Sequence, residues 1–396
     1  MPRVDTVVFY ISGHGLGHAS RQTAIINALW AIRPDVQVVV RTSAPRWLFD
    51  RTLTHSCAFV PGEPDTGVVQ LDSLHVDAAA TTRRAWEFHR TLSARAETEA
   101  RLLERRGATL VVGDIPPLAF AAAAAANVPA VGIGNFTWDW IYEQYPDLLL
   151  ETPELVPAIQ QAYASADVAW RLPMAGGFAA FSRLIDAPLV ARHAGRAPAE
   201  TRDALRLPDD RPLVLLSFGQ YGLGAIDWRQ LATQGGLSVI VTRDPLDTGP
   251  ALPDGLGRDL VYEIDVASIM EQGFQYEDLV AAVDVVLTKP GYGIIAACAA
   301  NGTALLYTSR GDFAEYPILV DAMPRLLRCA YIDHDDLFGG RWLDTVRQLL
   351  DQPTPSRPAA NGAEVVARGL VDYLEGRALQ PVGRHHQTVV SGQAPD

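Results

Sequence analysis

The stretch that most constrains this chain runs from Thr6 to Ala24, where a short apolar run meets three glycines and two histidines before a helical pattern begins. Residues 7–11 are β-branched, aromatic and uncharged, which is typical of a strand buried on both faces of a parallel sheet. Residues 12–17 interrupt any regular element, and from Ala19 the apolar residues recur with a helical period. The stretch therefore predicts a strand, a glycine-rich turn and a helix.

The turn is suited to binding a ligand. Gly13, Gly15 and Gly17 allow close approach of the backbone, and the helix start beyond them offers unpaired N–H groups to an anion. His14 and His18 can each take up a proton near neutral pH. The glycine spacing differs from the Gly-x-Gly-x-x-Gly pattern of dinucleotide-binding folds. The alternative interpretation is a tight turn whose histidines merely cap the helix.

Length and charge limit the class of protein. A chain of 396 residues predicts two domains. The 33 basic and 46 acidic residues give a net charge of −13, which argues against nucleic acid or an anionic membrane as the main partner. Three scattered cysteines suggest buried apolar residues in a reducing compartment rather than a disulfide framework or a zinc site. No export signal or membrane span is visible, so we expect a cytoplasmic protein.

Strand, turn and helix patterns alternate along both halves of the chain. In the first half, further strands at 109–112 and 130–134 end next to polar residues, and a parallel sheet would bring these ends together. The residues expected to converge there are His14, His18, Asp114, Asn135 and Asp139. In the second half, strands at 213–218 and 283–287 each precede a glycine-rich turn. The fold class is therefore α/β, with two doubly wound Rossmann-like domains facing across a cleft.

The predicted domains are residues 1–190 and 191–376, followed by a disordered tail at 377–396 that is rich in Gly, Pro and Gln. Residues 175–206 are interpreted as a linker with a crossing segment. The helix at 363–374 is assigned to the second domain. Residues 83–106 are predicted to form one long charged helix.

Several motifs together carry a family resemblance. They are SGHGLGHASR, VVGDIPPLAFAAAAAANVPAVGI, NFTWDWIY, LLSFGQYG, DVVLTKPGYGIIAACAANGTALLY and RGDFAEYP. Over residues 4–330 the chain resembles GT-B glycosyltransferases, above all the group similar to the N-terminal part of plant-type L-arabinokinases. It is more distantly similar to UDP-glycosyltransferases and to the N-acetylglucosaminyltransferase of peptidoglycan assembly.

The resemblance implies an inverting, metal-independent transfer of a sugar from a nucleotide-diphosphate donor, UDP- or TDP-linked, to a hydroxyl of a small-molecule or lipid acceptor. It implies no cofactor, because the nucleotide-sugar is a substrate. By position His18 matches the family's catalytic histidine and Asp114 the aspartate that supports it, with His14 as the rival base or a phosphate or sugar contact. Inverting transfer needs such a base, and a neighbouring carboxylate stabilises the imidazolium that forms.

The second half is expected to bind the donor. Glycine turns offer N–H groups to a diphosphate, Lys289 could add a point charge, and Asp312 and Glu315 resemble the acidic loop that grips sugar hydroxyls in relatives. An exposed lysine and a solvated acidic loop are the alternatives. The residues predicted to bind the donor are Gly219, Gln220, Tyr221, Lys289, Gly291, Tyr292, Gly293, Asp312 and Glu315. Those predicted to form the loop and acceptor side are Gly13, Gly15, Gly17, Asn135 and Asp139.

One position departs from the family pattern. Relatives commonly carry a ribose-binding glutamate where this chain has Ala297. The departure leaves two further hypotheses open, a nucleotide-sugar epimerase or hydrolase on the same fold and an inactive sugar- or nucleotide-binding module.

Overall fold

Two parallel β-sheets organise the computed structural model, which describes residues 4–71, 74–218, 226–243, 252–253, 255–257 and 259–377. The first sheet has the order β3-β2-β1-β4-β5-β6-β7. Its strands are β1 (Thr6–Ile11), β2 (Gln37–Thr42), β3 (Ala58–Pro61), β4 (Leu110–Asp114), β5 (Ala130–Phe136), β6 (Val168–Gly176) and β7 (Leu184–Asp186).

The strand order reverses at β1, which pairs in parallel with β2 on one side and with β4 on the other. Every residue of β1 is buried, because helices cover both faces of the sheet, and this explains its uninterrupted apolar run. A ligand crevice is expected beyond the carboxyl ends of strands at such a switch point. The glycine-rich turn after β1 and Asp114 at the end of β4 both lie there.

Eight helices of the described first half accompany this sheet. They are α1 (Gly17–Ile32), α2 (Arg46–Thr52), α3 (Ala78–His89), α4 (Leu92–Arg106), α5 (Pro117–Ala126), α6 (Trp138–Tyr142), α7 (Pro146–Leu149) and α8 (Leu155–Ala164). The prediction of a single helix at 83–106 is wrong, because Arg90 and Thr91 interrupt the helix between α3 and α4.

The second sheet has the order β10-β9-β8-β11-β12-β13 and is also parallel throughout. Its strands are β8 (Leu213–Ser217), β9 (Ser238–Arg243), β10 (Val261–Asp265), β11 (Val285–Thr288), β12 (Ala304–Tyr307) and β13 (Cys329–Tyr331). Its helices are α9 (Pro198–Leu205), α10 (Trp228–Gln234), α11 (Val266–Glu271), α12 (Tyr276–Ala282), α13 (Tyr292–Asn301), α14 (Tyr316–Leu326), α15 (His334–Phe338) and α16 (Leu343–Leu350). The predicted pair of doubly wound Rossmann-like sheets is confirmed.

The last helix, α17 (Gly362–Leu374), returns to the first sheet. Its buried residues Val366 and Leu370 belong to the same apolar cluster as Val7 and Ile25. The assignment of this helix to the second domain is therefore corrected, because its apolar face is completed by α1 and β1 rather than by the second sheet. The boundaries predicted at residues 190 and 376 otherwise stay predictions.

Other predictions differ from the structure more locally. The section 175–206, interpreted as a linker, contains the end of β6, the edge strand β7 and α9. The glycine turn at 219–224 and, apart from Arg377, the predicted tail lie outside the described residues. Among the residues that the structure describes, no helix is both long and apolar enough to cross a lipid bilayer.

Candidate active site in the cleft between the two sheets

A cleft of about 1120 Å³ separates the two sheets and is lined by residues from both. The starts of α1 and α13 face each other across it, since a Cβ built on Gly293 would lie 4.0 Å from the Cα of Gly17. The rings of Phe136 and Tyr292 stack between the halves with centroids 5.9 Å apart. The predicted cleft is therefore present, and the first glycine turn opens into it.

His18 and Asp114 are in direct contact at the base of the first half. His18 Nδ1 lies 2.8 Å from Oδ1 of Asp114, and the carboxylate is fully buried. Arg21 Nη2, which can only donate, also lies 3.1 Å from Nδ1. The carboxylate only accepts and makes the shorter contact, so it favours a proton on Nδ1 and leaves Nε2 as the basic nitrogen. His18 lines the cleft and makes no hydrogen bond through Nε2 to any described residue.

Three further side chains complete the surroundings of Asp114. Arg21 Nε donates to Oδ2 at 2.9 Å, and Gln22 Nε2 donates to the same oxygen at 2.6 Å. Arg21 also donates through Nη1 to Oδ1 of Asn135, whose amide in turn donates to the Pro173 carbonyl at 2.7 Å. The group forms a connected network from the start of α1 to the ends of β4 and β5.

The network sets the charge of its carboxylate. Burial by itself would raise the pKa of Asp114, but Arg21 and His18 lower it well below its ordinary value. Asp114 is consequently an anion at neutral pH. The Arg21 guanidinium forms a permanent ion pair with it, and His18 can form a second one when it is protonated.

His14 occupies a different environment in the same turn. Its ring meets Trp138 edge to face with centroids 5.7 Å apart, and its backbone N–H donates to the Ser12 hydroxyl at 3.2 Å. Desolvation lowers the pKa of His14 to about 3, helped by the charges of His18, Arg310 and Lys289. His14 is therefore neutral on the cleft wall at physiological pH.

A second buried carboxylate, Asp65, anchors this wall. It accepts from the Ser12 hydroxyl at 3.0 Å and from the Trp138 indole N–H at 2.8 Å. Burial raises the pKa of Asp65 to about 6, although these hydrogen bonds and His18 act in the opposite direction. Asp65 thus fixes Trp138 against the glycine turn.

The second half contributes the turn that begins α13 and the loop that precedes α14. Lys289, Gly291, Tyr292, Gly293 and Glu315 all line the cleft. The helix α13 starts without a side-chain cap, so its first N–H groups are available to a ligand. All five are predicted to bind the donor, and that role stays a prediction.

Glu315 forms an ion pair with Arg310. Arg310 Nη1 donates to Oε1 of Glu315 at 3.0 Å, and the guanidinium stacks 3.8 Å from the Phe313 ring centre. Burial lowers the pKa of Arg310, and Glu315 opposes that shift. Asp312 is exposed and does not line the cleft, which departs from its predicted donor contact.

Ala297 lines the cleft from the middle of α13 and is buried. On the same side, Arg192 and Glu277 line the cleft as an ion pair with Nη2 and Oε1 2.6 Å apart. Neither residue was recognised in the sequence.

Asp139 was predicted to face the acceptor because strand alternation would turn it away from Trp138. The segment is the helix α6 instead, and its period directs Trp138 and Ile141 to the cleft. Asp139 is buried outside the cleft lining, with Oδ1 unpartnered among the described residues. Gly13 also lies outside it, and a Cβ there would meet the Ser43 hydroxyl. Gly15, Gly17 and Asn135 line the cleft, whereas Gly219, Gln220 and Tyr221 lie outside the described residues.

Arg21 and Asp65 are the principal site residues that sequence reasoning missed. Arg21 follows His18 by three residues, so helical spacing alone places both side chains on one face of α1. Asp65 lies in a turn-rich segment with no period, and only the fold brings it to Ser12. Within the described parts of the chain, no three His, Cys, Asp or Glu side chains gather where they could hold a metal ion.

Comparisons with known proteins agree with this architecture. No protein-family model matches the chain. L-arabinokinase from Arabidopsis thaliana is 29% identical over 374 residues, which cover 93% of this chain and 34% of that protein. The chain thus spans about a third of the length of its curated relative. The predicted resemblance to L-arabinokinase is confirmed.

Solved structures share the fold at low identity. The glycosyltransferase SnogD from Streptomyces nogalater is 17% identical, with a TM-score of 0.54 over 94% of this chain and 100% of that one. UGT2 from Phytolacca americana, solved with UDP-2fluoro-glucose and pterostilbene, is 11% identical, with a TM-score of 0.58 over 94% of this chain and 95% of that one. A Listeria monocytogenes protein assigned as a UDP-N-acetylglucosamine 2-epimerase is 12% identical, with a TM-score of 0.50 over 96% of this chain and 99% of that one. These likenesses show the GT-B fold.

Proposed function

We propose that this chain is an inverting glycosyltransferase that moves a sugar from a nucleoside-diphosphate donor to an acceptor hydroxyl without a metal ion. The observation that carries the proposal is the contact of 2.8 Å between His18 Nδ1 and the buried Asp114 carboxylate at the cleft. It directs the basic Nε2 away from the carboxylate, where a bound hydroxyl can meet it.

The chemistry follows from this arrangement. The acceptor oxygen attacks the anomeric carbon while its proton passes to Nε2 of His18, and the bond from the anomeric carbon to the diphosphate oxygen breaks with the electron pair leaving on the diphosphate. The imidazolium formed is stabilised by Asp114. Between the two histidines we assign the base role to His18, because a pKa of about 3 makes His14 a weak base at neutral pH.

The donor is proposed to bind at the second half. The uncapped start of α13 offers N–H groups and a positive dipole to a diphosphate, and Lys289 and Arg310 add positive charge beside it. The ligand named for the solved UGT2 is a UDP-sugar, which supports a UDP-linked donor, with TDP as the second candidate. The family resemblance supports transfer without a metal or other cofactor.

The acceptor is proposed to be a hydroxyl compound with an apolar or aromatic body, either a small molecule or a lipid. Trp138, Ile141, Tyr145 and Val68 line the first half of the cleft beside His14, and such surfaces cover rings or aliphatic chains.

The test is a thermal-shift and calorimetric screen of UDP, TDP, GDP and ADP with their common sugar conjugates, followed by turnover assays with hydroxyl acceptors in EDTA. Saturable binding of one diphosphate family, with acceptor-dependent release of the diphosphate in EDTA, is the expected result. Acceptor-independent hydrolysis or epimerisation would instead favour the second enzyme hypothesis. No binding by any of these compounds would contradict the transferase.

A further inference from the structure

The cleft lacks a polar side chain where α13 passes through it. Ala297 is buried at this point and offers only a methyl group, although it lies on the ligand side of the helix. A nucleotide seated along α13 would present its ribose hydroxyls to some other group. The candidates for binding these hydroxyls are therefore polar side chains that approach α13 from neighbouring elements.

The segment around Arg192 is fixed against the last turn of α13. Asn301, one helical turn beyond Ala297, donates through Nδ2 to the Arg192 carbonyl at 3.3 Å and to the Ala297 carbonyl at 2.8 Å. Its Oδ1 accepts from the Ala194 N–H at 2.9 Å. The backbone of Arg192 is thus placed beside the turn that carries Ala297.

The Arg192 side chain pairs with Glu277 in the first turn of α12. Its Nη2 lies 2.6 Å from Oε1, and the Glu277 side chain is 5% exposed against 23% for Arg192. Arg192 therefore lies on the solvent side of the pair.

The pair is incomplete. Glu277 Oε2 and Arg192 Nε are both buried and have no hydrogen-bond partner among the described residues. An unsatisfied buried group of this kind is costly, and a fully paired ion pair is much less so. A hydroxyl can donate to a carboxylate oxygen or accept from a guanidinium N–H, so a ligand with neighbouring hydroxyls offers a partner to each atom.

We propose that Glu277 and Arg192 bind the ribose hydroxyls of the nucleotide, in place of the side chain that is absent at Ala297. The inference rests on the proposed function, and it goes further by assigning a nucleotide-sugar contact to residues outside α13. Arg192 shifts to admit the hydroxyls, and Oε2 of Glu277 accepts from one of them. The same chemistry could hold a hydroxyl of the transferred sugar, and the experiment separates the two sources.

The experiment measures the affinities of UDP, GDP and ADP, their 2′,3′-dideoxy analogues and UDP-glucose by calorimetry. The variants are Glu277→Gln, Arg192→Lys and, as a matched control, Asp321→Asn, whose carboxylate is exposed and pairs with Arg325 on α14. The wild type is expected to prefer the ribonucleotide over its dideoxy analogue by about tenfold to a hundredfold. Glu277→Gln is expected to lose most of this preference, Arg192→Lys part of it, and Asp321→Asn none.

The test compares the affinities of the ribonucleotide and its dideoxy analogue as a ratio. It stays valid where a variant is less stable, because general destabilisation weakens the binding of both nucleotides alike. Nucleotide binding with an unchanged ratio in Glu277→Gln would overturn this inference and leave the proposed function intact. A variant that loses only the gain in affinity from UDP to UDP-glucose would place the transferred sugar at the pair and overturn the ribose assignment. If no nucleotide binds the wild type, the proposed function fails and the inference fails with it.

Discussion

The two walls of the cleft differ in how completely their buried charged groups are hydrogen-bonded. On the first wall, formed by residues of the first half, Asp114 receives hydrogen bonds from His18, Arg21 and Gln22, and both oxygens of Asp65 accept hydrogen bonds. Gln22 Oε1 and Asp139 Oδ1 have no partner among the described residues, but neither residue lines the cleft. Four residues on the second wall line the cleft with a buried polar atom that has no partner among the described residues. They are Arg192, Glu277, Tyr292 and Arg310.

The difference separates two tasks. A carboxylate whose two oxygens are hydrogen-bonded without a ligand holds its base in one orientation before the substrate arrives, which is the arrangement that proton transfer needs. Groups that lack partners gain hydrogen bonds when a ligand enters, so they favour binding. We infer that the first wall is preorganised for chemistry, whereas the second is completed by its donor.

The strongest test of the first wall is His18→Ala. Turnover is expected to fall roughly 10²–10⁴-fold, because a positioned general base contributes about that factor. Calorimetry should show donor affinity within about twofold of the wild type, since the donor contacts lie on the second wall. His14→Ala serves as the control, with a smaller loss. Wild-type turnover in His18→Ala would show that His18 is not the general base.

Arg21→Met and Arg310→Met compare the walls directly. Removing Arg21 leaves the fully buried Asp114 without its permanent cation and is expected to cost about 3–5 kcal/mol of stability. Arg310→Met should cost less, about 1–2 kcal/mol, because that guanidinium is itself incompletely bonded and is penalised by burial.

Urea denaturation of both variants measures this difference. Arg325→Met, which breaks an exposed pair with Asp321, controls for loss of an arginine and is expected to cost at most about 1 kcal/mol. Equal losses at Arg21 and Arg310 would show that the two walls do not differ.

Asp65→Asn tests whether the contribution of the first wall to protein stability depends on pH. Because the folded pKa is raised to about 6, the native state keeps a proton that the unfolded chain releases near pH 4. Between about pH 4 and 6 the native state binds more protons, so this residue lowers stability as pH rises. Asp65→Asn removes the effect, and its stability relative to wild type should rise by on the order of 2 kcal/mol across that window.

Thermal and urea melts from pH 4 to 7 measure the change. The depressed pKa of His14 acts with the opposite sign, since stability from that residue is lost as pH falls, but it cancels in the difference between variant and wild type. A pH-independent difference for Asp65→Asn would contradict the raised pKa.

The smallest expected effect concerns the position of His14. Gly67 and Gly107 both have left-handed backbone, with φ of 60° and 62°, but only at Gly67 would a Cβ meet a side chain, at 2.7 Å from Nδ1 of His14. Gly107→Ala is expected to cost about 1 kcal/mol from the backbone alone. Gly67→Ala should cost more and also weaken acceptor binding, measured as a rise in acceptor KM. Equal costs and an unchanged KM would show that His14 moves freely.

Much of the fold could be predicted because its signals are local. The apolar run of β1, the glycine turn and the helical period of α1 lie within about 25 residues, and a similar succession of strand, turn and helix recurs at β4, β5 and β11. The predictions that failed involve packing at a distance. The helix α17 has an apolar face that either sheet could cover, and nothing in its own period selects the first.

The candidate site divides in the same way. His18, Asp114, Asn135 and Lys289 could be recognised because each follows a predicted strand, and the ends of parallel strands meet at one edge. Glu315 was predicted from the family resemblance. Asp139 does not face the cleft as predicted, because the residues after β5 form the helix α6 rather than an alternating strand.

The sequence by itself determined the succession of strand, turn and helix, and with it the placement of His18 and Asp114 beyond the ends of strands. Only the tertiary structure decided which polar groups meet there. Arg21 and Asp114 are separated by 93 residues, and Arg192 and Glu277 lie on different elements of the second wall. Such contacts depend on side-chain directions and burial in three dimensions, and local periodicity contains no information about either.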